Sequence, residues 1–252
     1  MAKFGISYSV YDGEELLEAS IRHIRSFVDY ICIVYSEKSW YGDAANPGLA
    51  KLVHNLKQSG LVDEVIHYET NPVDKNSPQR LKFKTAEQIK KRNVGLAAAR
   101  KAGCDYFMTM DTDEFYDKAA FQKAQEFIRC NPKISHFFVH ILNYGRSPTE
   151  RYDGRKWEYF VPFFAKIRRN SMLGTNKKVP CVTDPTRNVS HHFGARYWVL
   201  SDIFMHHFTR VRKDLDNKYS ARVVPKTFDD DWINNEERFI KVPDYFGLKD
   251  LW

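Results

Sequence analysis

The sequence predicts an α/β fold, with a mostly parallel central sheet flanked by helices, and two observations carry that prediction. Over the first 130 residues, short apolar runs alternate with longer stretches whose apolar residues recur at helical spacing. The clearest of those runs, residues 31–35 (ICIVY), is apolar throughout, as expected of a parallel strand buried on both faces. With 252 residues, of which 43% are apolar and 15% aromatic, a single domain can bury a sizeable core.

Taken in order, residues 4–10 (FGISYSV) read as a strand and Tyr11-Asp12-Gly13 as the turn that leaves it. Leu17, Ile21, Ile24 and Val28 then share one helical face, with Asp12 upstream as the cap. Residues 31–35 form the second strand. A helix over 48–58 carries Leu49, Leu52, Val53 and Leu56 on one side, and 64–68 form a third strand. The polar stretch 69–80, with two prolines, is an exposed loop. A long helix rich in Lys, Arg and Ala covers 82–102 and is ended by Gly103. Residues 105–110 (DYFMTM) are a strand and 118–129 a helix. From 134 onward strands dominate, at 134–142, 159–167 and 202–208, with basic loops over 145–156 and 170–190 and a short helix over 213–222. No internal repeat or compositional break marks a second domain. The chain divides instead into a first half (1–130), a second half (131–226) and an acidic tail (227–252).

The net charge of +7 is unevenly placed. Residues 1–130 carry 18 Lys+Arg against 18 Asp+Glu, residues 131–226 carry 18 against 7, and the tail carries 3 against 7. That field favours an anionic partner for the middle segment. No apolar run reaches the roughly 18–20 residues of a membrane span, and the first residues lack the apolar core of a signal peptide. The four cysteines are scattered without a C-x-x-C pair, so they read as reduced thiols of a cytoplasmic protein rather than disulfides or a zinc knuckle.

Met110-Asp111-Thr112-Asp113-Glu114-Phe115 is the sharpest local feature. In an extended chain Asp111 and Asp113 point the same way, so both carboxylates can face one hard cation at a strand's C-terminal end. An EF-hand is excluded, because its sixth position requires glycine and here it is Tyr116. Upstream lies the basic helix Lys90-Lys91-Arg92-Asn93-Val94-Gly95-Leu96-Ala97-Ala98-Ala99, and about 90 residues downstream lies His206-His207-Phe208-Thr209-Arg210-Val211-Arg212. His206 and His207 are adjacent on a strand, so they point to opposite faces and only one can join a given ion.

Together these segments resemble the GT-A glycosyltransferases, particularly those like family 2. In that family an R-N-x-G helix leads into a strand ending in D-x-D, and a C-terminal H-F-x-x-V-R strand follows. The resemblance covers residues 4–130 and 200–222. It implies a GT-A fold and a metal-dependent glycosyltransferase moving a hexosyl or pentosyl group from a nucleotide-diphosphate sugar to an acceptor hydroxyl, with inversion. Carried over residue by residue, it implies Mn²⁺ or Mg²⁺ held by Asp111, Asp113 and His207. Arg92, Asn93, Asp111 and Arg212 would contact the nucleotide diphosphate, with Arg92 and Asn93 at the start of a helical stretch and Ala97 and Ala98 letting that helix approach the sheet. Tyr8, Ser9 and Tyr11 would hold the nucleoside base by stacking and hydrogen bonding, with Ser36 as a further wall.

An inverting reaction needs a general base for the acceptor. Asp184, Glu158 and, nearer the metal, Glu114 are the candidates. The aromatic residues interleaved with arginines in 131–226 suit an anionic or glycan acceptor, with hydroxylated bases in DNA as the alternative. A nucleotidyltransferase would use a similar acidic site, but the first strand ends in S-Y-S-V-Y-D-G without a Gly-rich phosphate loop. A non-catalytic nucleic-acid-binding module would explain the basic segment and leave D-T-D and His206-His207 without a purpose.

Overall fold

The structure is a computed structural model that describes residues 1–145, 147–153, 160–175, 184–190, 194–211 and 239–251. The first half alternates strand and helix as the sequence predicts. Strands β1 (Phe4–Val10), β2 (Tyr30–Tyr35), β3 (Glu64–His67) and β4 (Tyr106–Met110) alternate with helices α1 (Glu14–Ile24), α2 (Leu49–Gln58) and α3 (Arg80–Lys101). Then come β5 (Glu114–Tyr116), α4 (Lys118–Cys130), β6 (His136–Asn143), β7 (Glu150–Tyr152), β8 (Phe160–Lys166), β9 (Met172–Leu173), β10 (Val189–Ser190), β11 (Tyr197–His207) and β12 (Phe239–Lys241). Eight of these strands form one sheet in the order β3-β2-β1-β4-β8-β6-β11-β5. The half built from β3, β2, β1 and β4 is parallel throughout. In the other half β8 runs antiparallel to β4 and β6, and β5 antiparallel to β11. The short pairs β9–β10 and β7–β12 lie outside this sheet.

Alternation along β1 explains how the layers pack. Phe4, Ile6, Tyr8 and Val10 join Leu17 and Ile21 of α1, Leu49 and Val53 of α2, and Phe121 and Ile128 of α4 in the main core. The opposite face of the sheet packs on α3 through Leu96, Ala98 and Ala99, with Leu173 and Val189 from β9 and β10. Helix α3 reaches the sheet this closely because residue 95 has no side chain. A Cβ there would stand 2.0 Å from Ser7 Oγ and 2.5 Å from Ser7 Cβ. Ala97, in contrast, is exposed, so Gly95, Ala98 and Ala99 make the approach that the sequence reading gave to Ala97 and Ala98. Gly95→Ala should therefore destabilise the chain by about 1–3 kcal/mol through overpacking. A denaturant melt that leaves the midpoint unchanged would contradict it.

Other expectations need correction. Gly13 caps α1, with no side-chain hydrogen bond, so Asp12 is not the cap. Gly103, at φ +76°, does end α3, in a left-handed turn that glycine adopts without strain. The helix expected over 213–222 lies outside the described residues. Strand β5, unforeseen, pairs with β11 between the D-T-D turn and α4. Among the described residues, no helix is long and apolar enough to cross a membrane.

Candidate active site

The C-terminal ends of β1 and β4 converge with α3, β5 and the end of β11 around a cleft of about 490 Å³. Five carboxylates (Asp12, Asp111, Asp113, Glu114, Asp184) and four cations (Lys84, Lys91, Arg92, Arg187) line it, together with Ser9, Tyr11, Trp40 and His207. The acidic and basic side chains nearly balance, so one added divalent ion would make the cleft positive and receptive to a diphosphate.

Strand β4 stops at Met110, and Asp111-Thr112-Asp113 turns into β5. The period-2 alternation assumed for an extended D-T-D therefore does not operate, and the two aspartates face different partners. Asp111 accepts hydrogen bonds from Arg92 Nη2 at 3.3 Å and Arg187 Nη2 at 2.5 Å. Asp113 instead groups with Glu114 and His207, whose ligand atoms all lie within 4.8 Å of one another. Register makes this group, because β5 and β11 pair Glu114 directly with His207, and Phe208 N donates to Asp113 O at 2.8 Å. His207 Nδ1 meets Asn143 Oδ1 at 3.0 Å, which makes Nδ1 the donor and turns Nε2 toward Asp113 Oδ1, 3.7 Å away. Two carboxylates and one oriented imidazole form a donor set that fits a hard-to-borderline cation such as Mn²⁺. The set includes Glu114 where the sequence reading had Asp111.

Glu114 is fully buried, and that burial pushes its carboxyl up to about 7 although the Arg187 guanidinium opposes the shift. Its Oε1 lies 2.5 Å from Arg187 Nη2, and its Oε2 accepts from the Asp111 amide at 3.2 Å. Asp184 Oδ2 accepts from Arg92 Nη1 at 2.7 Å and Arg187 Nε at 3.2 Å. Burial would raise this carboxyl too, but the two guanidiniums overcome it and hold Asp184 well below the usual carboxylate range.

Arg92 lies in the middle of α3 rather than at a helix start, so no helix N-terminus stands behind it; its guanidinium is almost wholly buried in these ion pairs. Asn93 does not line the cleft. Its amide donates to Ile89 O and Leu173 O and accepts from Leu173 N, fastening β9 to α3. Tyr8 lies buried under the sheet, with its hydroxyl 2.9 Å from Ser20 Oγ, away from any base-stacking position. Ser9 and Tyr11 do line the cleft. Ser36 is buried and accepts from Lys91 Nζ at 2.8 Å. Arg212 and Glu158 lie outside the described residues.

Lys91 and Arg187 are among the cleft residues that escaped the sequence reading. Lys91 is buried, donates to Val10 O at 2.7 Å and sits 5.6 Å from the centre of the Trp40 ring. Burial lowers its ammonium to about 7, with Asp111 and Asp12 resisting. A signal for it existed: Lys91 and Arg92 precede Gly95 and Leu96 by one helical turn, so they share the buried face of α3. Arg187 sits in the Pro185–Arg187 turn, more than 70 residues from D-T-D, and no local pattern marks it.

His206 points to the opposite face from His207. Its Nδ1 meets the Tyr144 hydroxyl at 2.7 Å, and its ring packs on Tyr144 and Phe246. Burial, then the Arg151 charge, lowers it to about 4. His207→Ala should weaken Mn²⁺ binding more than about tenfold, since loss of outer-shell partners alone has that effect, whereas His206→Phe should leave it unchanged. The His206 variant should show itself in stability instead. The native state binds that proton only near pH 4, while the unfolded chain binds it near 6.5. The resulting stabilisation is complete above about pH 6.5 and is lost as pH falls toward 4. Denaturant midpoints at pH 7.5 and 5 should therefore differ less in His206→Phe than in the wild type. Equal pH dependence in the two proteins would refute this.

No protein-family model matches the sequence, and no curated protein matches it. Among solved structures, S. aureus TarS is similar over 57% of this chain and 22% of its own, at 16% identity and a TM-score of 0.37. Mannose-1-phosphate geranyltransferase from Thermus thermophilus is similar over 66% and 50%, at 12% identity and a TM-score of 0.30. A glycosyltransferase involved in the glycosylation of the major capsid of PBCV-1 is similar over 65% and 59%, at 11% identity and a TM-score of 0.31. The chain thus spans less than two thirds of each of these proteins.

Proposed function

We propose that this chain is a metal-dependent glycosyltransferase of the GT-A type that takes a sugar from a nucleotide-diphosphate donor to an acceptor hydroxyl, with inversion. The observation that carries the reading is the meeting of Asp113, Glu114 and His207 in the same cleft as Arg92, Lys91 and Arg187, at the ends of the parallel strands. Asp113, Glu114 and His207 would hold Mn²⁺ or Mg²⁺, and the cation would supply positive charge where the diphosphate leaves.

The chain's own residues do the rest. Arg92 and Arg187 add fixed positive charge at that place, already oriented by Asp111 and Asp184. Tyr11 and Trp40, which line the cleft, would stack on the base, and Ser9 would offer it a hydroxyl. Lys91 ties the ends of β1 and β2 together beneath Trp40. Asp184 is engaged by two guanidiniums, which suits an anchor better than a base. Of the carboxylates the sequence offers as general base, that leaves Glu158, outside the described residues, to take the proton of the acceptor hydroxyl. The excess of positive charge in 131–226 favours an anionic or glycan acceptor.

The test is a screen of nucleotide sugars with Mn²⁺, read by thermal shift and by nucleotide release. A true donor at 100 times its dissociation constant should stabilise the chain by about 2.7 kcal/mol, and nucleoside diphosphate should accumulate when an acceptor is added. Pyrophosphate accumulating from nucleoside triphosphate and sugar phosphate would overturn the reading in favour of nucleotidyl transfer.

A further inference from the structure

Arg187 is ion-paired with three carboxylates, against two for Arg92, and one of the three is contested. Its side chain is only 5% exposed. Nη2 lies 2.5 Å from both Asp111 Oδ2 and Glu114 Oε1, and Nε lies 3.2 Å from Asp184 Oδ2. Nη1 is buried and makes no hydrogen bond. Glu114 belongs at the same time to the Asp113–Glu114–His207 group, while its Oε1 is ion-paired with Arg187 without a hydrogen bond and its Oε2 accepts from the Asp111 amide. The Asp111 amide that holds Oε2 is fixed by the backbone, whereas the guanidinium on Oε1 ends a flexible side chain. A divalent ion that takes Glu114 also repels a guanidinium on the same carboxylate. Of the two partners, Arg187 is the one that yields.

We propose that Arg187 is the cleft's built-in counter-cation: it holds Glu114 until a divalent ion arrives, releases that carboxylate to the ion, and presents its freed guanidinium to the incoming diphosphate. Asp184 and Asp111 keep their hold on the side chain through this exchange, so it stays within the cleft, where the buried Nη1 still lacks an acceptor. Arg187 thus contacts the phosphate ligand itself and makes metal and phosphate binding interdependent. Only the identity of the phosphate ligand rests on the glycosyltransferase reading; the competition for Glu114 does not.

The two halves of this inference predict effects of opposite sign in one variant. Arg187→Met should bind Mn²⁺ alone about tenfold more tightly by calorimetry, because the ion pair with Glu114 no longer competes. In saturating Mn²⁺ it should bind inorganic pyrophosphate about tenfold more weakly than the wild type. Arg187→Lys, which keeps a charge but loses the fork, should bind Mn²⁺ with nearly wild-type affinity and pyrophosphate more weakly. Since removal of a buried cation can cost the fold, thermal unfolding is measured with and without Mn²⁺, and the ion should stabilise Arg187→Met more than the wild type. A purely structural arginine would weaken both ligands together. Mn²⁺ binding no tighter in Arg187→Met, or pyrophosphate affinity unaltered or undetectable in the wild type, overturns the proposal. Both effects in a chain that turns over no nucleotide sugar would overturn the glycosyltransferase reading and leave the role of Arg187 standing.

Discussion

Replacing Asp113 by asparagine is expected to lower sugar transfer by about three orders of magnitude, equivalent to about 4 kcal/mol of transition-state stabilisation. Asp113 immediately precedes β5, its Oδ1 lies 3.7 Å from His207 Nε2, and it is almost fully buried. Alanine would remove both the charge and the packing. Asparagine keeps the shape and changes only the charge, so it separates loss of the ion from loss of the fold. The companion Asp111→Asn should act differently, because Asp111 holds Arg92 and Arg187 and is not part of the ion-holding group. Its main effect should be a raised KM for the donor, with Mn²⁺ affinity little altered. Turnover of the best donor over a Mn²⁺ titration, with circular dichroism of each variant, provides the measurement. Near-normal turnover in Asp113→Asn at saturating Mn²⁺ would sink the assignment, and a greater loss of Mn²⁺ affinity in Asp111→Asn would restore the extended-chain reading of D-T-D.

What the sequence made legible follows from how local each determinant is. The elements of the first half were readable to within a few residues because each is set by its own apolar pattern, whether a continuous run as in β2 or a spaced face as in α1 and α2. Strand β5 was invisible because three residues, Glu114–Tyr116, have no pattern of their own and are strands only through pairing with β11, about 90 residues later. The start of β11 was placed too late, at 202 rather than Tyr197, because the register shift between Leu200 and Phe204 breaks the alternation a strand is read by. In the cleft, the roles of Asp111 and Asp113 were assigned from strand geometry that ends one residue earlier, at Met110. Arg187 meets Asp111 and Glu114 through tertiary contacts alone. The resemblance points to D-T-D, His207 and Arg92; only the folded chain pairs Arg92 and Arg187 with Asp111.

Asp184→Asn should produce the largest change in stability, a loss of about 3 kcal/mol, at the lower end of what breaking a buried ion pair costs. One carboxylate oxygen holds both Arg92, at 2.7 Å, and Arg187, at 3.2 Å, while the other accepts from the Thr186 amide and hydroxyl. Those contacts fasten the 184–187 turn to α3. With the charge gone, Arg92 keeps one carboxylate, Asp111 at 3.3 Å, and the uncharged Thr186 hydroxyl at 2.6 Å. For a chain of this length each kcal/mol moves the midpoint by about 2–4 °C, so thermal unfolding will resolve the loss. The pH dependence carries a sign. The folded carboxyl lies well below the usual range and the unfolded one near 3.9, so the stabilisation is complete above about pH 4–5 and fades as pH falls further. The gap between wild type and variant should accordingly be widest near pH 7 and narrow on acidification. The same variant separates the two roles open to Asp184. An anchor gives lower stability and a raised donor KM, with a residual rate that keeps the wild-type pH profile. A general base gives unchanged stability and a rate that vanishes at every pH. The second outcome would return the acceptor proton to Asp184 and remove it from Glu158.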